Sequence, residues 1–325
     1  MKGSYQVRVS RRRGTSFRFE VKRNITVVRG DSGTGKTTLY DMIADHMRLG
    51  DRSGVTVQCD RPCIALTDMD WHNQLSGVSD SIVFIDEGFE DVVSHDFARA
   101  LRDSSNYYVI FCRVDLVSLP FSVNEIYRIK TSGKYHSFES IYKQKDGFQY
   151  SLSRASHKND FDVLLNEDSK SGLQFFKSRF SDTQLRCETA SSNSQIADWL
   201  LEHKGEKVFV VADGAAFGPY ADRVFKIQRE LPHDITICLP ESFEWLLLKS
   251  GIVSSKSLEA ILEKPSSYID SEEYFSWERF FSDYLRKVTR NTANLKYEKS
   301  KLAAGYMTEA NASKIMALIA FRNIE

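Results

Sequence analysis

Apolar and polar residues alternate one by one over residues 5–9 and again over Ser16–Val21, the two-residue period of a strand with one buried face. The Arg13-Gly14 pair between them predicts that the two strands open the chain as a hairpin. "ITVVR", residues 25–29, is a short β-branched run that ends directly on Gly30. In "TTLYDMIADHM" Leu39, Ile43 and Met47 then recur four apart, one face of a helix that Gly50 is expected to stop. "GVTVQC" and "CIAL" read as short strands, and "DFARALRD" as a short helix. "SIVFIDE" and "YYVIFCRV" are apolar without alternation, as central strands covered on both faces are. "NEIYRIKTSGKYHSFESIYK" predicts two more strands joined at Ser132-Gly133.

The polar stretch "KQKDGFQYSLSRASHKND" interrupts this pattern and reads as a linker. Beyond it strand-like and helix-like segments take turns: "FDVLL", "GLQFFKSRF", "LRCET", "NSQIADWLLEH", "KVFVVAD", "YADRVFKIQREL", "ITICL". That order predicts a second parallel sheet covered by helices, so the fold class is α/β twice over. From Ser242 onward the chain reads as mostly helical, and the aromatic stripe of "EEYFSWERFFSDYL" reads as core packing. The expected boundaries are 1–145 for the first domain, 146–158 for the linker, 159–250 for the second domain and 251–325 for a helical extension.

Composition narrows the function classes. A chain of 325 residues exceeds one small core. The 44 basic and 44 acidic residues cancel, so attraction to nucleic acid or membrane requires a local patch. Of the five cysteines, at 59, 63, 112, 187 and 238, most read as buried thiols, since Cys112 and Cys238 lie in apolar runs and Cys59 ends another; reduced thiols fit a cytoplasmic protein. Cys59-x-x-x-Cys63 has no second Cys/His pair at ligand spacing to complete a zinc site. The basic N-terminal stretch lacks the apolar core of a signal peptide, and no apolar run reaches the length of a membrane span.

The chemistry begins where "ITVVR" meets Gly30. Gly30-Asp31-Ser32-Gly33-Thr34-Gly35-Lys36-Thr37-Thr38 has the spacing of a phosphate-cradling loop, set between a strand and a helix as that loop requires. Its glycines let backbone N–H groups turn inward, Lys36 offers a charge to the β- and γ-phosphates, and the Thr37 hydroxyl reaches Mg2+. Asp86 and Glu87 close the apolar run "SIVFI", at the strand edge where open α/β sheets bind ligands. Asp86 suits the Mg2+ shell and Glu87 the orientation or deprotonation of an attacking water. No Asn-Lys-x-Asp guanine-reading motif occurs, which points to ATP. Arg113, just past "YYVIFC", either falls where the P-loop ATPases that these residues resemble carry a γ-phosphate sensor or ends its strand facing solvent.

These two halves resemble the P-loop ATPase superfamily, in the branch with an acidic pair after the magnesium strand; ABC-type ATPases are the nearest comparison. Only about fifty residues separate Lys36 from Asp86, little room for the helical subdomain of that type. "QLSGVSD", 74–80, echoes their signature but lies close to Asp86.

In the second half, Glu167 follows the apolar residues 163–165 and Asp213 follows Val208–Val211. Two acids on neighbouring strand ends can share a divalent cation, as in metal-dependent phosphodiester chemistry. The β-α-β-α-β order resembles the TOPRIM fold, and the ATPase-then-acidic-domain arrangement is similar to OLD-type phage-defence nucleases. Two positions depart from that pattern: Asp168 replaces a small residue, and Ala215 replaces the second acid of Asp-x-Asp, leaving Glu241 or Glu244 as substitutes. The resemblance implies an ATPase whose nucleotide state controls an effector domain, a metal-dependent nuclease in bacterial defence or a mobile element, working as a homo-oligomer or hetero-assembly. The alternative is an ATP-dependent switch with a degenerate, partner-binding domain. Arg286, Lys287, Arg290, Lys296, Lys299 and Lys301, interleaved with Tyr284 and Tyr297, form either a solvated helix face or a nucleic-acid patch.

Overall fold

The computed structural model describes residues 1–12, 14–67, 70–150, 161–231 and 234–321. The chain is α/β and divides into two compact units, Met1–Ile141 with Glu263–Ser276, and Tyr142–Leu262 with Trp277–Glu325.

The first unit opens with β1 (Tyr5–Arg11) and β2 (Ser16–Val21), an antiparallel pair whose inward residues alternate as the sequence predicts. Of the expected turn, Gly14 donates to the Arg11 carbonyl at 2.9 Å, whereas Arg13 lies outside the described residues. Next come β3 (Ile25–Arg29), α1 (Lys36–Leu49), β4 (Val55–Gln58), β5 (Cys63–Leu66), α2 (Trp71–Ser76), β6 (Ile82–Ile85), α3 (His95–Arg102), β7 (Tyr107–Phe111), β8 (Ile126–Ser132) and β9 (Tyr135–Ser140). They form one nine-stranded sheet in the order β4-β1-β2-β9-β8-β3-β7-β6-β5. β8, β3, β7, β6 and β5 run parallel, and β3, β7 and β6 are buried along their whole length. The consequence for the site is that β7 lies between β3, which leads into the glycine loop, and β6, which leads into Asp86-Glu87. "QLSGVSD" forms the end of α2 and the turn into β6.

Helix α1 packs on β1, β4 and β5 through Leu39, Met42 and Ile43. Met47, expected on the same face, is 48% exposed, although His46 beside it still meets the Val55 carbonyl of β4.

The second unit contains β10 (Gln149–Tyr150), β11 (Val163–Asn166), α4 (Ser171–Arg179), β12 (Arg186–Thr189), α5 (Ile196–Glu202), β13 (Val208–Val211), α6 (Ala221–Glu230), β14 (Ile235–Cys238), α7 (Phe243–Lys249), α8 (Leu258–Glu263, all but its last residue), α9 (Trp277–Thr289) and α10 (Glu309–Leu318). Its sheet runs β10-β14-β13-β11-β12. The four strands from β11 to β14 are parallel, as expected, while β10 adds an antiparallel edge from within the stretch read as linker. Residues 151–158 of that stretch lie outside the described residues. The residues expected as a helical extension divide between the units. Segment 263–276 belongs to the first, where Gly3 N–H donates to the Ser266 carbonyl, Asn24 to the Ser271 carbonyl and Ser271 to the Ser105 carbonyl. Among the described residues no helix is long and apolar enough to cross a membrane.

Candidate nucleotide site and a second acidic site

Between β3 and α1 the backbone turns through Gly30 (φ 140°), Gly33 (81°) and Gly35 (101°), conformations in which a Cβ is strained. Gly35 also faces the Phe17 ring, which an added Cβ would meet at 3.5 Å. Helix α1 begins at Lys36 with no side-chain cap and no acid in its first turn, so its first amides are open to an anion. Thr34 Oγ1 donates to the Asp31 carbonyl and braces the loop, while Asp31, Ser32, Thr37 and Thr38 are exposed along it. Lys36 is buried; its ammonium donates to the Gly30 carbonyl and, at 3.0 Å, to that of Asp31.

The strand order brings the expected partners to this loop. Lys36 Nζ lies 3.5 Å from Glu87 Oε2, and the Arg113 guanidinium pairs with Glu87 through Nε. Arg113 also donates to Ser32 Oγ at 2.7 Å, so one arginine beyond β7 ties the loop after β3 to the acid after β6. Asp86 Oδ1 is buried without a hydrogen-bond partner among the described residues. A buried carboxylate oxygen in that condition fits the water shell of a cation. Asp41 went unnoticed in the sequence. Burial first, then the charges of Asp86 and Asp45, hold its carboxyl above the usual range despite Arg11. Its i+4 spacing from Thr37 was the available signal.

In the same unit Cys59, just after β4, and Cys63, at the start of β5, are half-buried free thiols. A hydrogen bond from Cys63 brings Cys59 down to about 7 against the opposing effect of burial.

In the second unit Glu167 and Asp213 follow the adjacent parallel strands β11 and β13. Glu167 N–H donates to the Val211 carbonyl at 3.0 Å, and Asp213 N–H to Glu167 Oε2 at 2.8 Å. Asp213 Oδ1 in turn accepts from Phe243 N–H at the start of α7. Burial pushes Glu167 up to about 7, with Glu278 and Asp168 adding to the rise and the Asp213 N–H and Lys299 opposing it. Asp213 is raised well above its ordinary value by burial and then by Glu167, Glu278 and Glu244. Of the two substitute acids, Glu244 joins this group, whereas Glu241 offers its carbonyl to Ala215 N–H.

The departures from the TOPRIM pattern have local causes. Ala215 is buried in a 3-10 turn whose backbone is bonded to residues 240 and 241, which leaves its side chain packed. Asp168 Oδ1 accepts from Asn166 Nδ2 and Lys170 N–H, and so shapes the loop before α4. Glu278 on α9 and Lys299 complete the cluster. The Lys299 ammonium lies 3.0 Å from Glu278 Oε1 and 3.7 Å from Glu244 Oε1. Glu244, 1% exposed, also accepts from Tyr297 at 2.5 Å. Tyr297, which the nucleic-acid reading of this segment would leave free for base stacking, is thus buried and bonded. Among the described residues no three His, Cys, Asp or Glu side chains are arranged to hold a metal ion.

Comparison with protein-family models and with curated proteins finds no match to the chain.

Proposed function

We propose that the protein is a Mg2+-dependent ATPase whose nucleotide state controls its second α/β unit. The observation that carries this reading is the convergence on Glu87: Lys36 from the glycine loop and Arg113 from beyond β7 both pair with the acid that ends "SIVFIDE". A phosphate chain would take the N-terminal amides of α1 and the Lys36 ammonium. Thr37 and Asp86 are the residues for Mg2+, which would supply neutralisation of phosphate charge; the unpartnered Asp86 Oδ1 fits that use. Glu87 is the base for water, and competition by phosphate for Lys36 and Arg113 would release it for that role. Lys36→Ala is expected to abolish ATP binding, read by equilibrium dialysis of labelled nucleotide; binding at the parental affinity would refute the site.

For the second unit, two observations favour a TOPRIM-like module that binds without cutting over a metal-dependent nuclease of phage defence or a mobile element. Ala215 withholds one acid, and Lys299 supplies a cation from the chain itself. Incubation with plasmid, single strands and tRNA, with Mg2+ or Mn2+ and with or without ATP, separates the two. Cleavage that disappears in Glu167→Ala would establish the nuclease.

A further inference from the structure

The basic residues of the C-terminal segment are exposed apart from the half-buried Lys299, and most of them gather at one place. Arg286 and Lys287 in the last turn of α9, Arg290 just beyond it, Lys296, Lys299 and, from the start of α4, Lys170 line one cavity of about 740 Å³. Glu298 is the single acid in that lining. Arg286 pairs with Asp283 and Lys296 with Glu298, but among the described residues Lys170, Lys287 and Arg290 have no carboxylate partner. Lys170 also stands at the N-cap of α4 and gives it no side-chain cap. Six cationic side chains line this space, half of them without a carboxylate partner, a concentration of positive charge suited to an anion.

We propose that this cavity binds a ligand with phosphates in series, and that Lys299 couples the ligand to the acidic cluster. Phosphates in series are common to a single-stranded nucleic-acid backbone and to a free polyphosphate. The cavity is open to solvent, as a groove that follows a phosphate chain is. It is built for charge rather than for bases: Tyr297, the aromatic residue of its lining, is 2% exposed and spends its hydroxyl on Glu244 and Ser171. Tyr284 is likewise bonded, to Ser255.

Lys299 belongs to both sites. Its side chain is part of the cavity lining, and its ammonium neutralises Glu278 and Glu244. Burial would lower its pKa, but Glu244, Glu278 and Asp213 outweigh burial and keep it above the ordinary lysine value. Phosphate entering the cavity competes with these carboxylates for one ammonium. Glu244 is sensitive to the outcome, because its Oε2 is already buried with no hydrogen-bond partner among the described residues. The coupling rests on reading the acidic cluster as the functional site of the second unit; the anion site stands without it.

The test is fluorescence anisotropy of a short labelled oligothymidylate on the full chain carrying Lys36→Ala, so that the glycine loop does not hold phosphate. ATP hydrolysis is measured separately with Lys36 intact, which keeps failure of the ATPase reading distinct. Lys287→Glu with Arg290→Glu is expected to weaken binding about tenfold or more at low salt, and to reduce the salt slope by about 1.4, for two lost phosphate contacts. Lys299→Met should weaken binding, while Glu278→Gln, which frees Lys299 from a competitor, should tighten it severalfold. Unlabelled tripolyphosphate that displaces the strand identifies phosphate alone as sufficient; a strand that it does not displace identifies the nucleic-acid backbone as the ligand. No binding of either probe, or binding indifferent to the double charge reversal, overturns the anion site. Glu278→Gln without a gain overturns the coupling.

Discussion

Glu87 is held between two cations of different standing. Lys36 is buried under the loop, whereas Arg113 is half exposed and bridges to Ser32 Oγ. Removing the carboxylate charge while keeping its shape tests the assigned base. Glu87→Gln is expected to keep ATP affinity and to lose turnover by about 10²–10⁴-fold, measured as phosphate release against nucleotide binding. Wild-type turnover in that variant would mean that another group activates the water. Arg113→Ala should lower turnover with a smaller effect on affinity, as expected of a group that meets only the last phosphate. The loop's positive-φ glycines and buried lysine were readable from spacing alone, since each arises within a few consecutive residues. Asp41 was not, because the Asp86 charge that, after burial, helps raise its carboxyl is distant in sequence.

At the scale of elements, α1 shows what periodicity conveys and where it ends. Leu39, Ile43 and Met47 share a helical face, yet only the first two are buried. Leu39, with no exposed surface, is expected to cost about 2–5 kcal/mol as Leu39→Ala in urea unfolding. Met47→Ala should stay within about 0.5 kcal/mol. Equal losses at both positions would show that the last turns of α1 are packed after all. The strands "SIVFI" and "YYVIF" were recognisable as buried, but their order was not. That β7 separates β3 from β6 is a property of the sheet, and it is this order that sets Arg113 between loop and acid.

Over the whole molecule, the second unit accepts an electrostatic penalty at its acidic end. Glu167 has a folded-state pKa near 7, raised by burial and by Glu278 and Asp168 against Lys299, so the folded form holds its proton more firmly than the unfolded one. Stability from this group is therefore lost as pH rises from about 4.5 toward 7, and the loss is complete above that. Glu167→Gln, which never ionises, should gain roughly 2 kcal/mol over the parent at pH 8 and almost nothing at pH 4.5, by thermal unfolding. A gain independent of pH would assign the effect to packing. Hydrophobic periods and local spacing were enough to establish the α/β class, most strands and helices, the glycine loop and the acids at strand ends, because each arises within a few consecutive residues. The exchange of segment 263–276 into the first unit, the β10 edge, the burial of Tyr297 and the meeting of Glu167, Asp213, Glu244, Glu278 and Lys299 arise differently. They join residues tens to more than two hundred positions apart, and such contacts follow from how sheets and helices pack, which no local pattern encodes.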